Sequence, residues 1–491
     1  MLARRRSSPF VLFWCWGFCA GCATPSNAPR GALAPPRAVA RRVATAKSAP
    51  PAETCEYSVS APRVAPFVVH VRARCEGGGV TGFAATEPRI VPFVTSDGAP
   101  ASSAVHPATR VGPGVAELTY SVDLDGLARR ENEIDYARRF GRALLAPASS
   151  FLLRPDPERD DVPIRVRFAT DGIESGLARD KDGFVLASQE IRVGTYTTFG
   201  PVTTRDLVVA GASVRLAILD GALDLAPDVY AKWVADAERG VIDFFERPPA
   251  PRTLVVLAPI PALHGVLFGK MLPASGPGVV VILGEHTTPP ELTDDWILVH
   301  ELFHAGTPSF VDEGKWYDEG LATYFEPLIR ARLGWYPEKQ LWREFLRNMP
   351  RGLDAMTRGL EHPVEFSDTY WGGGLFCLLA DVEERRATDG ARGLEDGLRA
   401  VLRSGGDATQ VWPLAQALDV ADRALGAPVL APLAAAHANR GAPVDLAGLF
   451  QKLGVALDAR GDATLDDGAP LARIRHALVY GAPSGADLNQ R

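Results

Sequence analysis

Two hydrophobic periods divide the body of the chain. In its first half apolar residues alternate with polar ones: Phe67, Val69 and Val71 with His70, Arg72 and Arg74, then Ile164, Val166 and Phe168 with Arg165 and Arg167. Val214, Leu216 and Ile218 continue the style. A period of two predicts strands with one buried face, so residues 55–225 are expected to form a β-rich domain. Near residue 226 the period lengthens. Val229, Trp233, Ala237 and Val241 recur at helical spacing, with Lys232, Asp236, Arg239 and Asp243 on other faces. Residues 253–257 and 279–283 are short apolar runs suited to strands, and helical segments then dominate. A second domain is expected over 226–410 and a helical region over 411–491, with no repeat at a solenoid period.

Ahead of both periods stands a segment of different character. Arg4, Arg5 and Arg6 form a basic head, and Phe10 to Phe18 is an apolar run too short to span a bilayer. The run ends in Cys19-Ala20-Gly21-Cys22, which resembles the bacterial lipoprotein signal. The resemblance implies an exported protein with a lipid anchor on Cys22. Ala23 beside it points to the outer membrane, with the protein facing the periplasm or the cell surface. Residues 1–22 are thus the expected signal segment, and the Ala/Pro-rich stretch 23–54 a flexible tether. Cys55 and Cys75 flank an extended stretch and could be bridged in an oxidising compartment. Cys377, in an apolar helical setting, reads as a packed thiol. No second run of 18 apolar residues follows, so the body is expected to be soluble.

Composition narrows the partners. A chain of 491 residues, 46% apolar and 23% charged, has the size for two or three domains and the make-up of folded protein. Its net charge of −7 leaves no basic stripe for phosphates, so nucleic acid is not an expected partner.

Chemistry is concentrated in two segments. His300-Glu301-Leu302-Phe303-His304 is an H-E-x-x-H motif inside an apolar, helix-compatible run, with Thr293, Asp294 and Asp295 as cap chemistry at its start. Four residues apart on a helix, the two histidines project from one face and can reach one metal ion. Glu301 lies beside that face, placed for a water at the metal rather than for the metal itself. Fourteen residues separate His304 from Glu319, which opens Glu319-Gly320-Leu321-Ala322-Thr323-Tyr324-Phe325-Glu326. Two histidines and one glutamate make the three-ligand set of a catalytic zinc, one ion per chain. Glu326, two turns beyond Glu319 on the same face, is expected to hydrogen-bond a ligand histidine from behind. Glu313 sits in a similar tripeptide among loop residues and reads as solvated surface. The charged run Glu383 to Arg386 reads as the wet face of a helix.

Together these segments resemble the gluzincin zinc peptidases, most closely the glycyl aminopeptidase family, with the aminopeptidase N family as a wider relative. The shared features are E-G-x-x-x-Y-x-E, here Glu319, Gly320, Tyr324 and Glu326, and a tyrosine ahead of glycine on a later helix. The latter is Tyr370-Trp371-Gly372-Gly373-Gly374, with Gly372 where the family has lysine. The resemblance covers about residues 226–475. It implies an α+β multidomain fold: a β-rich N-terminal domain, a thermolysin-like zinc peptidase domain and a helical C-terminal part. It also implies a peptide or protein substrate, zinc on His300, His304 and Glu319, Glu301 as general base and Tyr370 as donor to the oxyanion. Glu285, in Leu283-Gly284-Glu285-His286, would bind the substrate's free amine. The residues leave two alternatives open: an inactive lipoprotein of this fold that serves as a binding scaffold, and a structural metal site, which would ordinarily be closed by four protein ligands where three are found here.

Overall fold

The computed structural model describes residues 54–481 apart from 78, 97–98, 101–103, 113, 159–161, 275 and 311–312. The signal segment with Cys22 and the tether over 23–53 lie outside the described residues. The described residues form one compact unit. It is a mixed α/β fold with a β-rich N-terminal region and a helical C-terminal part, as expected. No described helix is long and apolar enough to cross a membrane.

The alternating segments pair as predicted. Strands Thr54–Ser60, Val68–Glu76 and Val115–Asp123 run antiparallel at the centre of a nine-stranded sheet, and Pro163–Phe168 joins parallel to the first. Val69, Val71 and Ala73 are buried while His70, Arg72 and Arg74 face water, so one face packs and the other is solvated. Cys55 stands directly opposite Cys75, and the two form a disulfide with Cα atoms 4.1 Å apart. Cys377 is free and buried.

A second, five-stranded sheet follows it in the chain. Its order is Val202–Val209, Ala212–Leu219, Arg252–Ile260, Gly278–Gly284 and Val266–Leu272, with the middle three parallel and the outer two antiparallel. The two inner apolar strands are covered on both faces. Val255, Leu257, Val279 and Val281 enter the helical core, while Leu254, Val256 and Val280 pack against Phe140, Leu145 and Tyr196 of the preceding β-rich region. Double cover is why these strands read as continuous apolar runs rather than alternation. Val214, Leu216 and Ile218, assigned by period to the β-rich domain over 55–225, belong to this second sheet. A strand's period looks the same in either sheet.

The helix Pro227–Phe245 lies on the helical-core face with Tyr230, Trp233, Val234, Ala237 and Val241 buried. Val229 is 37% exposed, since the packed stripe begins one position later, at Tyr230. Leu418, Leu425, Leu453 and Leu478 share that same core, so residues 411–481 are not a separate body. The run Glu383 to Arg386 is only half wet. Glu384 and Arg385 are buried, with the Arg385 guanidinium 3.0 Å from Asp381 and 3.5 Å from Glu395. Paired charge makes the burial of Arg385 tolerable, whereas burial pushes the Glu384 carboxyl up to about 7.

The disulfide closes a 20-residue separation, for which loop entropy gives about 3 kcal/mol. Replacing Cys55 and Cys75 together by alanine is expected to lower unfolding stability by roughly that amount, read from the urea midpoint under oxidising conditions. An unchanged midpoint would show that the bridge contributes nothing.

Candidate metal centre

The motif run folds into the helix Ile297–Phe303, followed by a tight turn over His304–Gly306. Asp295, rather than Thr293, caps it, accepting from the backbone N–H of Ile297 and of Leu298 at 3.1 Å each. Burial pushes the Asp295 carboxyl up to about 6. The helix stops where Gly306 lies flat against the Phe245 ring, a place with no room for a side chain.

Its histidines meet the glutamate from the next helix, Lys315–Arg332. His300 Nε2 lies 3.2 Å and His304 Nε2 3.6 Å from the same oxygen, Glu319 Oε2. Ligands held at about 2.05 Å around a tetrahedral ion stand roughly 3.3 Å apart, so the spacing fits zinc. No fourth His, Cys, Asp or Glu joins this group among the described residues, the pattern of a centre with an open position. Glu319 is only 7% exposed. Burial opposes its ionisation, yet hydrogen bonds from His300 and His304, and the charges of His304 and Lys315, hold its carboxyl well below the usual range. Lys315 Nζ lies 2.6 Å from the other oxygen, Oε1.

The residue behind a ligand histidine is Asp318. Its Oδ1 lies 3.1 Å from His304 Nδ1, and with Nδ1 as the donor there, Nε2 is the nitrogen that would be left to hold a metal ion. Sequence reasoning gave this role to Glu326. Two helical turns displace that residue by roughly 10 Å along the axis, beyond the histidines' reach. The Glu326 carboxylate is instead held by Arg330 at 2.6 and 3.1 Å, and Arg330 also donates to the Asp294 carbonyl at 3.3 Å. Glu326 thus ties its helix to the turn that caps the motif helix, acting on the centre only through the fold. The signal for Asp318 was present, a carboxylate adjacent to the ligand glutamate, but its angle to His304 is set by how the helices pack.

Two further expected residues come to the centre. Glu301 turns toward the edge strand Val266–Leu272, where its Oε2 accepts from Met271 N–H at 2.7 Å. Gly269 on that strand lies so close to Ile297 and Glu301 that a side chain would clash. Tyr370 sits in a π-helical turn, Asp368–Gly372, with its ring stacked on His300, centroids 5.7 Å apart. Burial first, then the charges of Glu319 and Glu301, push its phenol upward, so it stays protonated and can donate. Close helix approach brings it there. Gly320 and Gly373 meet backbone to backbone, and a Cβ on either would strike the opposite helix. Those contacts account for the glycines that follow Glu319 and Tyr370.

Two other glutamates stay away. Glu313 is exposed and in no ligand group. Glu285 follows the inner strand Gly278–Gly284, four residues past Val281, the register partner of Gly269, which puts it about 13 Å further along. There it accepts from Ala262 N–H at 2.9 Å and gathers with Asp224 and His286, so the amine-binding role expected of it is not supported by position.

Solved structures resemble this fold. An aminopeptidase N family protein from Idiomarina loihiensis aligns with a TM-score of 0.61 at 13% identity, over 82% of this chain and 79% of that one. A two-domain M1 zinc metallopeptidase variant bound to L-tryptophan gives 0.51 at 15% identity, over 80% and 96%. An M1 zinc metallopeptidase variant from Deinococcus radiodurans bound to a Tyr-Ser-Ala substrate gives 0.50 at 16%, over 80% and 94%. At such identities the likeness establishes the fold. No protein-family model and no curated protein matches the sequence.

The two carboxylates behind the centre separate experimentally. Asp318→Ala is expected to weaken zinc binding by roughly 10- to 100-fold in a chelator competition. Glu326→Gln should leave zinc affinity nearly unchanged while lowering stability by about 3 kcal/mol, because Arg330 loses its buried partner. The reverse pattern would return the supporting role to Glu326.

Proposed function

We propose that this chain is a zinc-dependent peptidase acting on a peptide or protein substrate at the centre formed by His300, His304 and Glu319. The observation that carries the reading is the convergence of three donors, with Glu301 beside them and a sheet edge next to Glu301. The names of the structural neighbours support the same chemistry. A zinc ion held by the three residues would supply Lewis acidity, polarising a carbonyl and making water acidic near neutral pH.

The remaining work falls to the protein's own groups. Glu301, oriented by Met271 N–H, accepts the proton of the attacking water and delivers it to the leaving amine nitrogen. Tyr370, kept protonated, donates a hydrogen bond to the carbonyl oxygen as that oxygen gains charge. The edge strand Val266–Leu272 pairs with the sheet on one side only, so an extended peptide can lie along it. With Glu285 outside the centre, the aminopeptidase reading has lost its candidate amine anchor, and the proposal is peptide-bond hydrolysis without an assigned end preference. Export with lipidation at Cys22 is proposed from the leader, and the Cys55–Cys75 disulfide supports an oxidising compartment.

Glu301 is not among the converging donors, so Glu301→Gln is expected to retain one zinc per chain and lose at least about a hundredfold in turnover. Metal analysis and peptide hydrolysis on the same sample check both halves. A binding scaffold would hold zinc yet cleave nothing as wild type, and undiminished cleavage by the variant would remove Glu301 from the mechanism.

A further inference from the structure

Glu319 turns its two oxygens to different partners. Oε2 lies 3.2 Å from His300 Nε2 and 3.6 Å from His304 Nε2, whereas Oε1 is held by the Lys315 ammonium at 2.6 Å. The same ammonium lies 3.7 Å from Asp318 Oδ2, the oxygen that Asp318 does not turn to His304. One lysine therefore faces the spare oxygen of a candidate ligand and the spare oxygen of the residue behind another.

A lysine four residues ahead of a glutamate is common on helices and ordinarily contributes little. This one is set apart by where it stands. Lys315 opens the helix Lys315–Arg332, where the positive end of the helix dipole disfavours a cation. Lysine before glutamate is also the weaker order for such a pair. The glutamate, moreover, is buried rather than out in water, so salt screens the pair less. Helix stability does not account for this placement. The start of the helix is pinned as well. On either side of Lys315 the Glu361 carboxylate accepts from Gly314 N–H, at 2.9 and 3.2 Å, and from the Trp316 indole N–H at 2.6 Å. The lysine thus reaches Oε1 from a fixed base.

Resting on the peptidase reading above, we infer that Lys315 is a positioning residue that holds Glu319 to a single metal-facing oxygen, Oε2. A carboxylate can grip a cation with one oxygen or with two. At a zinc centre the second oxygen would take the position that catalysis keeps open for water. A charge-assisted hydrogen bond from Lys315 to Oε1 opposes that second grip. Lys315 acts through Glu319 alone and touches neither substrate nor metal. Its side chain is 68% exposed, so replacing it leaves no cavity in the core.

The test is X-ray absorption at the zinc edge on full-length, zinc-loaded protein, which counts the atoms around the ion without any turnover. Wild type and Lys315→Arg are expected to show about four nearest nitrogen and oxygen neighbours, and Lys315→Met about five at a longer mean distance, since Oε1 joins. Cobalt in place of zinc reads the same change as a weaker visible absorption in Lys315→Met. Peptide turnover by Lys315→Met should fall roughly 10- to 100-fold with KM little altered, and Lys315→Arg should recover most of it. A Met variant that keeps wild-type coordination overturns the inference, whatever its activity or stability. So does one that holds no zinc under conditions that fill the wild type. The peptidase reading fails separately: if wild type cleaves no peptide while Lys315→Met gains the extra oxygen, the positioning role stands without it.

Discussion

A carboxylate only 7% exposed must find positive partners or give up its charge, and the layout of this molecule follows from meeting that demand at Glu319. Two imidazoles reach one of its oxygens and an ammonium reaches the other. To bring those groups together, two helices that are distant in pattern must cross within bonding distance. The motif helix is anchored at its start by Asp295 and at its end by the contact of Gly306 with Phe245. The glutamate helix is held against the tyrosine helix by the Gly320–Gly373 crossing, deeper in by Tyr324 donating to Asp381 at 2.9 Å, and by Glu326 and Arg330 near the cap of the motif helix. Each device serves packing, and together they fix three donors at the spacing a tetrahedral ion requires.

The cluster was legible because helix spacing brings it together: His300 and His304 lie four apart on a face, and Glu319 lies early in the next helix. Tyr370 was legible only through family resemblance, since nothing local distinguishes a tyrosine that donates from one that packs. Glu326 and Asp318 show the limit. Both are carboxylates near the ligand glutamate, and a same-face argument favours Glu326, but reach along the axis excludes it while a side-by-side packing angle selects Asp318. Glu285 failed for a related reason. Motif likeness gives no position across a sheet, and the edge strand lies between its strand and Glu301. Period also misled over residues 202–219, where alternating strands belong to a different sheet from the alternating strands before them.

Where the chain leaves charge or apolar surface in unusual places, physical cause divides the cases. Arg385 goes inside because Asp381 and Glu395 accompany it there with opposite charge. Phe366 and Val364 stay outside because Asp368 holds their loop rigid. The first arrangement stabilises the helical core. In the second, Phe366 stacks on the tyrosine at the centre.

The central claim is that three side chains from two helices form one open metal centre. Crystals of the protein soaked in zinc, measured at the zinc absorption edge, test it directly through the anomalous difference map. The account predicts a dominant peak about 2.0–2.2 Å from His300 Nε2, His304 Nε2 and a Glu319 oxygen, with no fourth protein ligand. A dominant peak at the Asp224, Glu285 and His286 group instead, or an ion closed in by a fourth side chain, would contradict it.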